Sequence, residues 1–243
     1  MNFIKTKVAL IIPSTTKNRN WSSPNDSLLY NMIESFKQST NDNFEYKLFI
    51  GYDYDDNFYN NKDNIIFYEN QGIIIEFIQL SVEKGHVTKM WNILAMRAYN
   101  DGFDYLYACG DDIIFNNMNW IDCCIDLLLK NKNIGLTGPL TTNGNSNILT
   151  QSFVHRTHID IFNFFYPEEI TNWYCDNWIN DVYGDIVYKL PHDKYTCLNS
   201  GGDERYIIVR CSDLSNKLVE KYKNVLNEYK QKIINEQTAN NIV

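Results

Sequence analysis

The sequence has little of what several protein classes require. Its first apolar run spans only Val8 to Ile12, and no stretch approaches 18 apolar residues. A membrane-spanning helix is thereby excluded, and the run reads as a strand rather than a leader peptide. Basic residues are in deficit, with 22 Lys and Arg against 30 Asp and Glu and a formal charge of −8. That balance excludes a dedicated nucleic-acid binder, which needs a basic face to neutralise phosphates, but it permits a local basic pocket for a small anion. Cysteine is sparse and scattered: six residues without a CxxC pair, read as reduced thiols of a soluble, cytoplasmic protein. With 5 Pro and 11 Gly there is no linker, and there is neither a repeat of 20 to 50 residues nor a GxGxxG fingerprint. Two sequons, at Asn20 and Asn25, are chance matches in an Asn-rich chain.

What remains is one globular domain of 243 residues, 44% hydrophobic, 21% charged and 14% aromatic. Val8–Pro13 is a continuous apolar run, as a parallel strand covered on both faces requires. Ser23-Pro24 reads as a helix cap, ahead of Leu28, Leu29, Met32, Ile33 and Phe36 at helical spacing. Strands are expected over 46–52, 73–80, 105–109, 113–115 and 134–140, with helices over 87–100 and 120–130. Further strands are expected at 148–155 and 185–190, a helix at 172–183, and a last amphipathic helix over 214–234 with a frayed tail past Asn235. Strands alternating with helices of this length predict an α/β fold with a mostly parallel, Rossmann-like sheet flanked by helices.

The strongest local signal is Gly110-Asp111-Asp112 at the end of the apolar strand 105–109, followed at once by Ile113–Phe115. Ligands of open α/β sheets collect at the carboxyl ends of strands, and adjacent acids there need a compensating cation or hydrogen bonds. Gly-Asp-Asp is also ordinary turn chemistry. RNA-dependent polymerases carry the same triplet, but they need a far longer chain and a basic channel. The segment is similar to the metal motif of GT-A glycosyltransferases, usually Asp-x-Asp, from which it departs at the first position.

The resemblance to the GT-A family extends over most of the chain. It implies a nucleotide-holding loop at Pro13, Ser14 and Thr15 after the first strand, and nucleobase or ribose contacts at Asp53 and Asp55 after the second. The segment Lys84–Asn92 is similar to the helix before the metal-binding strand, which implies donor contacts from His86, Lys89 and Asn92. Asp112 would then be the metal ligand and Asp111 a ribose or water contact, with His192 as a further ligand from the C-terminal part. The cofactor so implied is Mn²⁺ or Mg²⁺, a hard cation that neutralises a departing diphosphate. Plain helix-end solvation or a surface role is the alternative for His86 and His192.

The stretch Phe164–Gly184 interleaves aromatic rings with acids, which suits a sugar-binding cleft and equally suits core packing. Within it Asp176 matches the position of an acceptor-activating acid, with Asp181 as its substitute. Gly201–Tyr206 resembles the family's donor-covering loop, and Arg205 is a candidate to reach the diphosphate. The expected division is a nucleotide-sugar half (1–115), an acceptor half (116–212) and a C-terminal helix (213–243). The function implied is metal-assisted, inverting transfer of a monosaccharide, from a UDP-sugar, to a glycan, protein or small-molecule hydroxyl. The alternative is a non-catalytic nucleotide-sugar or carbohydrate-binding module on the same fold.

Overall fold

The computed structural model describes residues 5–202 and 205–240. Seven strands form one sheet in the order β3-β2-β1-β4-β8-β6-β9. Its left half comprises β3 (Ile74–Leu80), β2 (Glu45–Asp53), β1 (Lys7–Ser14) and β4 (Tyr105–Ala108), all parallel. Val8 lies opposite both Tyr46 and Tyr105, which fixes the register across three strands. β8 (Ser152–His155) then runs antiparallel to β4 and to β6 (Leu136–Gly138), and β9 (Val187–Lys189) closes the far edge parallel to β6. A three-stranded sheet of β5 (Ile113–Phe115), β10 (Thr196–Asn199) and β7 (Leu140–Thr141) sits beside it.

Helices cover both faces, and the reason is in the strands. Val8 through Ile12 are fully buried, so neither side of β1 can face water. On one face α1 (Leu28–Ser39), α2 (Lys62–Glu69) and α4 (Trp120–Lys130) bury Leu29, Met32, Ile33, Phe36, Tyr68 and Trp120. On the other, α3 (Val87–Asn100), α5 (Thr157–Phe162), α6 (Cys175–Tyr183) and α7 (Ser212–Asn240) pack Leu94, Ala98, Phe162, Trp178 and Leu218. The rings of Phe164–Gly184 belong largely to this layer: Phe164 and Trp178 both meet Tyr222 of α7 edge-on.

The structure amends several expected boundaries. α1 is capped by Ser27, whose Oγ accepts from the Tyr30 amide at 3.0 Å, while Ser23-Pro24 opens a separate 3-10 turn over Pro24–Asp26. The strand expected over 134–140 is broken at Pro139, which has no N–H to give a ladder, and the chain changes sheet there. α2, α5 and β10 are elements beyond those expected. The frayed tail expected past Asn235 is instead helical to Asn240.

Candidate functional site

The parallel strands change direction of connection between β1 and β4: α1 leads from β1 outward to β2, and α3 leads back to β4. Such a switch leaves a crevice at the strands' carboxyl ends. Ser14 ends β1 there, and Asp111 and Asp112 follow β4 across the gap. Both carboxylates are buried, at 0% and 2% exposure. Gly110 donates its amide N–H to the Gln151 Oε1 at 3.0 Å, and a Cβ at 110 would overlap the Asp112 carboxylate. A side chain at the first position of the triplet would have to displace that carboxylate. A Cβ at Gly201 would overlap the same carboxylate from the opposite side.

Two guanidinium groups compensate these charges. Arg19 donates to the two oxygens of Asp111 at 2.5 and 2.9 Å, and its Nη2 lies 3.7 Å from Asp112. Arg205 bridges the pair, with Nη1 2.7 Å from Asp111 and Nη2 2.9 Å from Asp112. The Ser14 hydroxyl adds a fourth donor to Asp111 at 2.5 Å and also meets the Tyr59 hydroxyl. Trp21 lies under the Arg19 guanidinium, 4.5 Å from its ring centre. Burial works against the charge on Asp111, but Arg205 and Arg19 outweigh it and hold the carboxyl below its usual range. Burial and the neighbouring Asp111 charge push Asp112 up instead.

A cavity of about 530 Å³ opens over this crevice. Its floor is Pro13–Thr15 and Gly110, and one wall is the start of α3, from Gly85 to Trp91. The opposite wall is the segment Arg205–Val209, tied down by Asn172. The Asn172 amide nitrogen donates to the Gly85 and Ile207 carbonyls at 3.0 and 3.1 Å, and its oxygen accepts from the Val209 amide at 3.0 Å. Gly85 has φ +83°, and Tyr206 packs within 3.2 Å of where its Cβ would stand, so a side chain there would be doubly strained. Lys17, Asp53, Glu83 and Lys84 supply the charged rim.

Of the residues expected in the site, Pro13, Ser14, Thr15, Asp53 and His86 line the cavity, with Asp111 and Asp112 beneath it. Burial raises the Asp53 carboxyl above its ordinary value. His86 is mostly buried, and its Nε2 meets the Glu168 carbonyl at 2.9 Å. Asp55 stays outside as the exposed partner of Lys84 at 2.5 Å. Lys89 is half-buried on α3 and is not among the lining residues. Asn92 points into the core: its amide nitrogen donates to the Tyr166 carbonyl at 2.8 Å, and its oxygen accepts the Phe165 and Tyr166 amides at 2.9 Å. That bonding makes it a clamp on the 165–166 backbone rather than a donor contact.

His192 lies exposed in the turn before β10, whose opposite end reaches Asp112 through the Ser200 amide. The strand separates the two, so they are not brought together as ligands. Asp176 stands at the second position of α6, partly covered behind the cavity wall, and burial raises its carboxyl. Asp181 is exposed on the same helix. Arg205 does face the cavity, while its neighbours Asp203 and Glu204 lie outside the described residues. Sequence reasoning missed Arg19, Asn172 and Asp56. Asp56 accepts from the Thr16 amide and hydroxyl, both at 2.8 Å, and so shapes the loop after β1. A Lys and an Arg within five residues of the first strand's end were the available signal for Arg19.

No group of three His, Cys, Asp or Glu among the described residues stands close enough to hold a metal ion. Three donors besides the second arginine occupy Asp111, and Arg205 occupies Asp112.

The seven-stranded, mostly parallel sheet with helices on both faces and a C-terminal helix is a fold of the GT-A class. No family model and no curated protein matches the sequence, whereas solved structures match the fold. The S. aureus TarS fragment 1–349 with UDP-GlcNAc aligns at a TM-score of 0.64 and 12% identity, covering 89% of this chain and 66% of that one. The mannosyltransferase PcManGT from Pyrobaculum calidifontis, in complex with GDP-Man and Mn2+, aligns at 0.58 and 8% identity, covering 84% of this chain and 59% of that one. The chain thus spans 66% of the TarS fragment and 59% of PcManGT, and only 37% of the longer S. aureus TarS chain. Among the described residues no helix is long and apolar enough to cross a membrane.

Proposed function

We propose that this chain transfers a monosaccharide from a nucleotide-sugar, a UDP-sugar, to an acceptor hydroxyl with inversion. The observation that carries the reading is the 530 Å³ cavity at the β1/β4 switch, floored by Pro13–Thr15 and walled by Arg205. Its size suits a nucleotide-sized ligand. The solved neighbours with UDP-GlcNAc and GDP-Man support the same ligand class. In this reading the loop after β1 and Asp53 hold the nucleoside, while Arg205 and the start of α3 face the diphosphate.

Asp176 is the proposed base. As the acceptor oxygen bonds to the anomeric carbon, the bond from that carbon to phosphate oxygen breaks and its electron pair leaves with the diphosphate. The acceptor proton passes to Asp176, whose burial-raised carboxyl is better matched to that task than a solvated one. The rival reading, binding without transfer, draws on one observation: Asp53 and Glu83 are the described acids on the cavity wall, and Asp176 is not.

The deciding experiment incubates the protein with a panel of UDP- and GDP-sugars and follows released nucleoside diphosphate. Turnover supports transfer. Stabilisation by donors without any release supports the binding module, and neither effect with any donor sinks both.

A further inference from the structure

We infer that the diphosphate is bound here without a divalent cation, with Arg205 standing where a cation would neutralise it. The inference rests on the proposed nucleotide-sugar reading and concerns how that site handles charge. A cation at Asp111 and Asp112 needs free carboxylate oxygens, yet both oxygens of Asp111 already accept from Arg19, Arg205 and Ser14. Asp112 gives one oxygen to Arg205, while the other lies over Gly110. Two buried carboxyl groups face two guanidinium groups, so each acid already has cationic partners as it stands. A divalent ion bound to both carboxylates would compete with Arg205 for the oxygens it holds and would sit close to Arg19, whose Nη2 is 3.7 Å from Asp112.

Arg205 is equipped for the substitute role. Two of its five N–H donors go to the acids. Its side chain is 22% exposed and forms part of the cavity wall. The acids thus hold the guanidinium plane in place for a second, bidentate partner on the open side, the geometry in which arginine binds phosphate best. Lys17, exposed on the rim, adds a positive charge that acts on Asp53 of the same wall. The first turn of α3 carries no acid and opens onto the same space, which favours an anion there. Asp53 and Glu83 are the opposing charges on this wall, and neither belongs to the arginine cluster.

The test is calorimetric binding of UDP, GDP, ADP and dTDP to the full chain, with EDTA and with Mn²⁺. For whichever nucleotide binds, the dissociation constant should agree between the two conditions within about twofold. Arg205→Ala should weaken it on the order of 10- to 100-fold, the range for losing a charge-assisted hydrogen bond. Arg205→Lys, which keeps the charge and the fold, should recover only part of the loss. Asp112→Asn should hold the affinity or raise it, because the amide still accepts from Arg205 while one negative charge beside the diphosphate disappears. Binding that needs Mn²⁺, or an Asp112→Asn loss above about tenfold, overturns the inference and leaves the nucleotide-sugar reading standing. If no nucleotide binds under either condition, the proposed function fails and the inference falls with it.

Discussion

Two sets of buried polar groups occupy this fold, and they differ in charge, in partners and in outlook. At the β1/β4 crevice Asp111, Asp112 and Arg19 are ionisable, bond mainly to side chains, and lie against a cavity. Behind α3, Asn92 and His158 are neutral and bond chiefly to backbone in the closed core. Burial alone therefore does not mark function. A desolvated charge costs folding energy that a neutral amide does not, so charges gathered beside open space ask for a ligand-based reason. Asn92 resembled a donor contact in the sequence and is a splice between helix and loop. Arg19 was marked in the sequence only by its place five residues past the first strand, and it is half of the site's compensation.

Asp176 is the sharpest case, because it lies one turn from Asn180, which bonds to the Leu149 backbone in the manner of the neutral set. If Asp176 belongs with the charged set, Asp176→Asn should leave donor affinity intact and cut turnover about 10²- to 10⁴-fold. Steady-state kinetics beside calorimetry reads both, and full activity would return Asp176 to the structural group. Arg19→Ala comes next, with an expected stability loss of about 3–5 kcal/mol from an uncompensated buried carboxylate. Adding Asp111→Asn should recover part of that loss in urea unfolding, and no recovery would mean that Arg19 acts by packing on Trp21 instead.

The neutral set predicts a pH effect. Burial lowers the His158 imidazole to about 4, with Nε2–H donating to the Phe165 carbonyl and Nδ1 accepting from the Tyr183 hydroxyl. The unfolded chain takes up the proton near pH 6.5 and the folded one only near 4, so stability falls as the pH drops through that window. The slope is at most about 1.4 kcal/mol per pH unit from this residue. His155, also lowered to about 4 by burial, acts in the same direction. His158→Gln should flatten the dependence, and an unchanged slope would place the titrating group elsewhere. Asn92→Ala should cost about 1–3 kcal/mol, the penalty for unpaired buried amides, and leave nucleotide affinity of the folded protein unaltered. His192→Ala should change stability by less than about 0.5 kcal/mol and nucleotide binding not at all, as for any exposed turn residue. A loss of nucleotide affinity would restore it to the site.

Much of the fold was legible because periodicity reports burial. Helices α3 and α4 and strand β5 fall on the residues expected, and β1 to β3 differ by one or two at their ends. The second half was harder: β6 to β10 have two to four residues each, too few for a pattern, and their pairing is settled by distant strands. The carboxylate pair was singled out by its place at a strand end, while the loop after β1 and Asp53 came from the GT-A resemblance, and both of these line the cavity. Arg205 was a candidate for the diphosphate, but its pairing with the acids and the whole role of Arg19 were not legible, since nothing local ties position 19 or 205 to position 111. Nor does helical spacing say which way Asn92 faces once α3 has both a core side and a cavity end.

The span of the Arg19–Asp111–Arg205 bridge also orders events in time. Asp111 precedes Arg205 by 94 positions, so at ordinary rates of synthesis several seconds separate the two residues on the ribosome. During that interval β1 to β4 can pair, and Arg19 is already made, but Asp112 has no bridging partner. A nascent chain therefore carries an excess negative charge at the mouth of its own crevice until the segment from Arg205 to Val209 arrives. The residue that closes the wall of the cavity is also the one that bridges both acids, and it is the last part of that cluster to be synthesised.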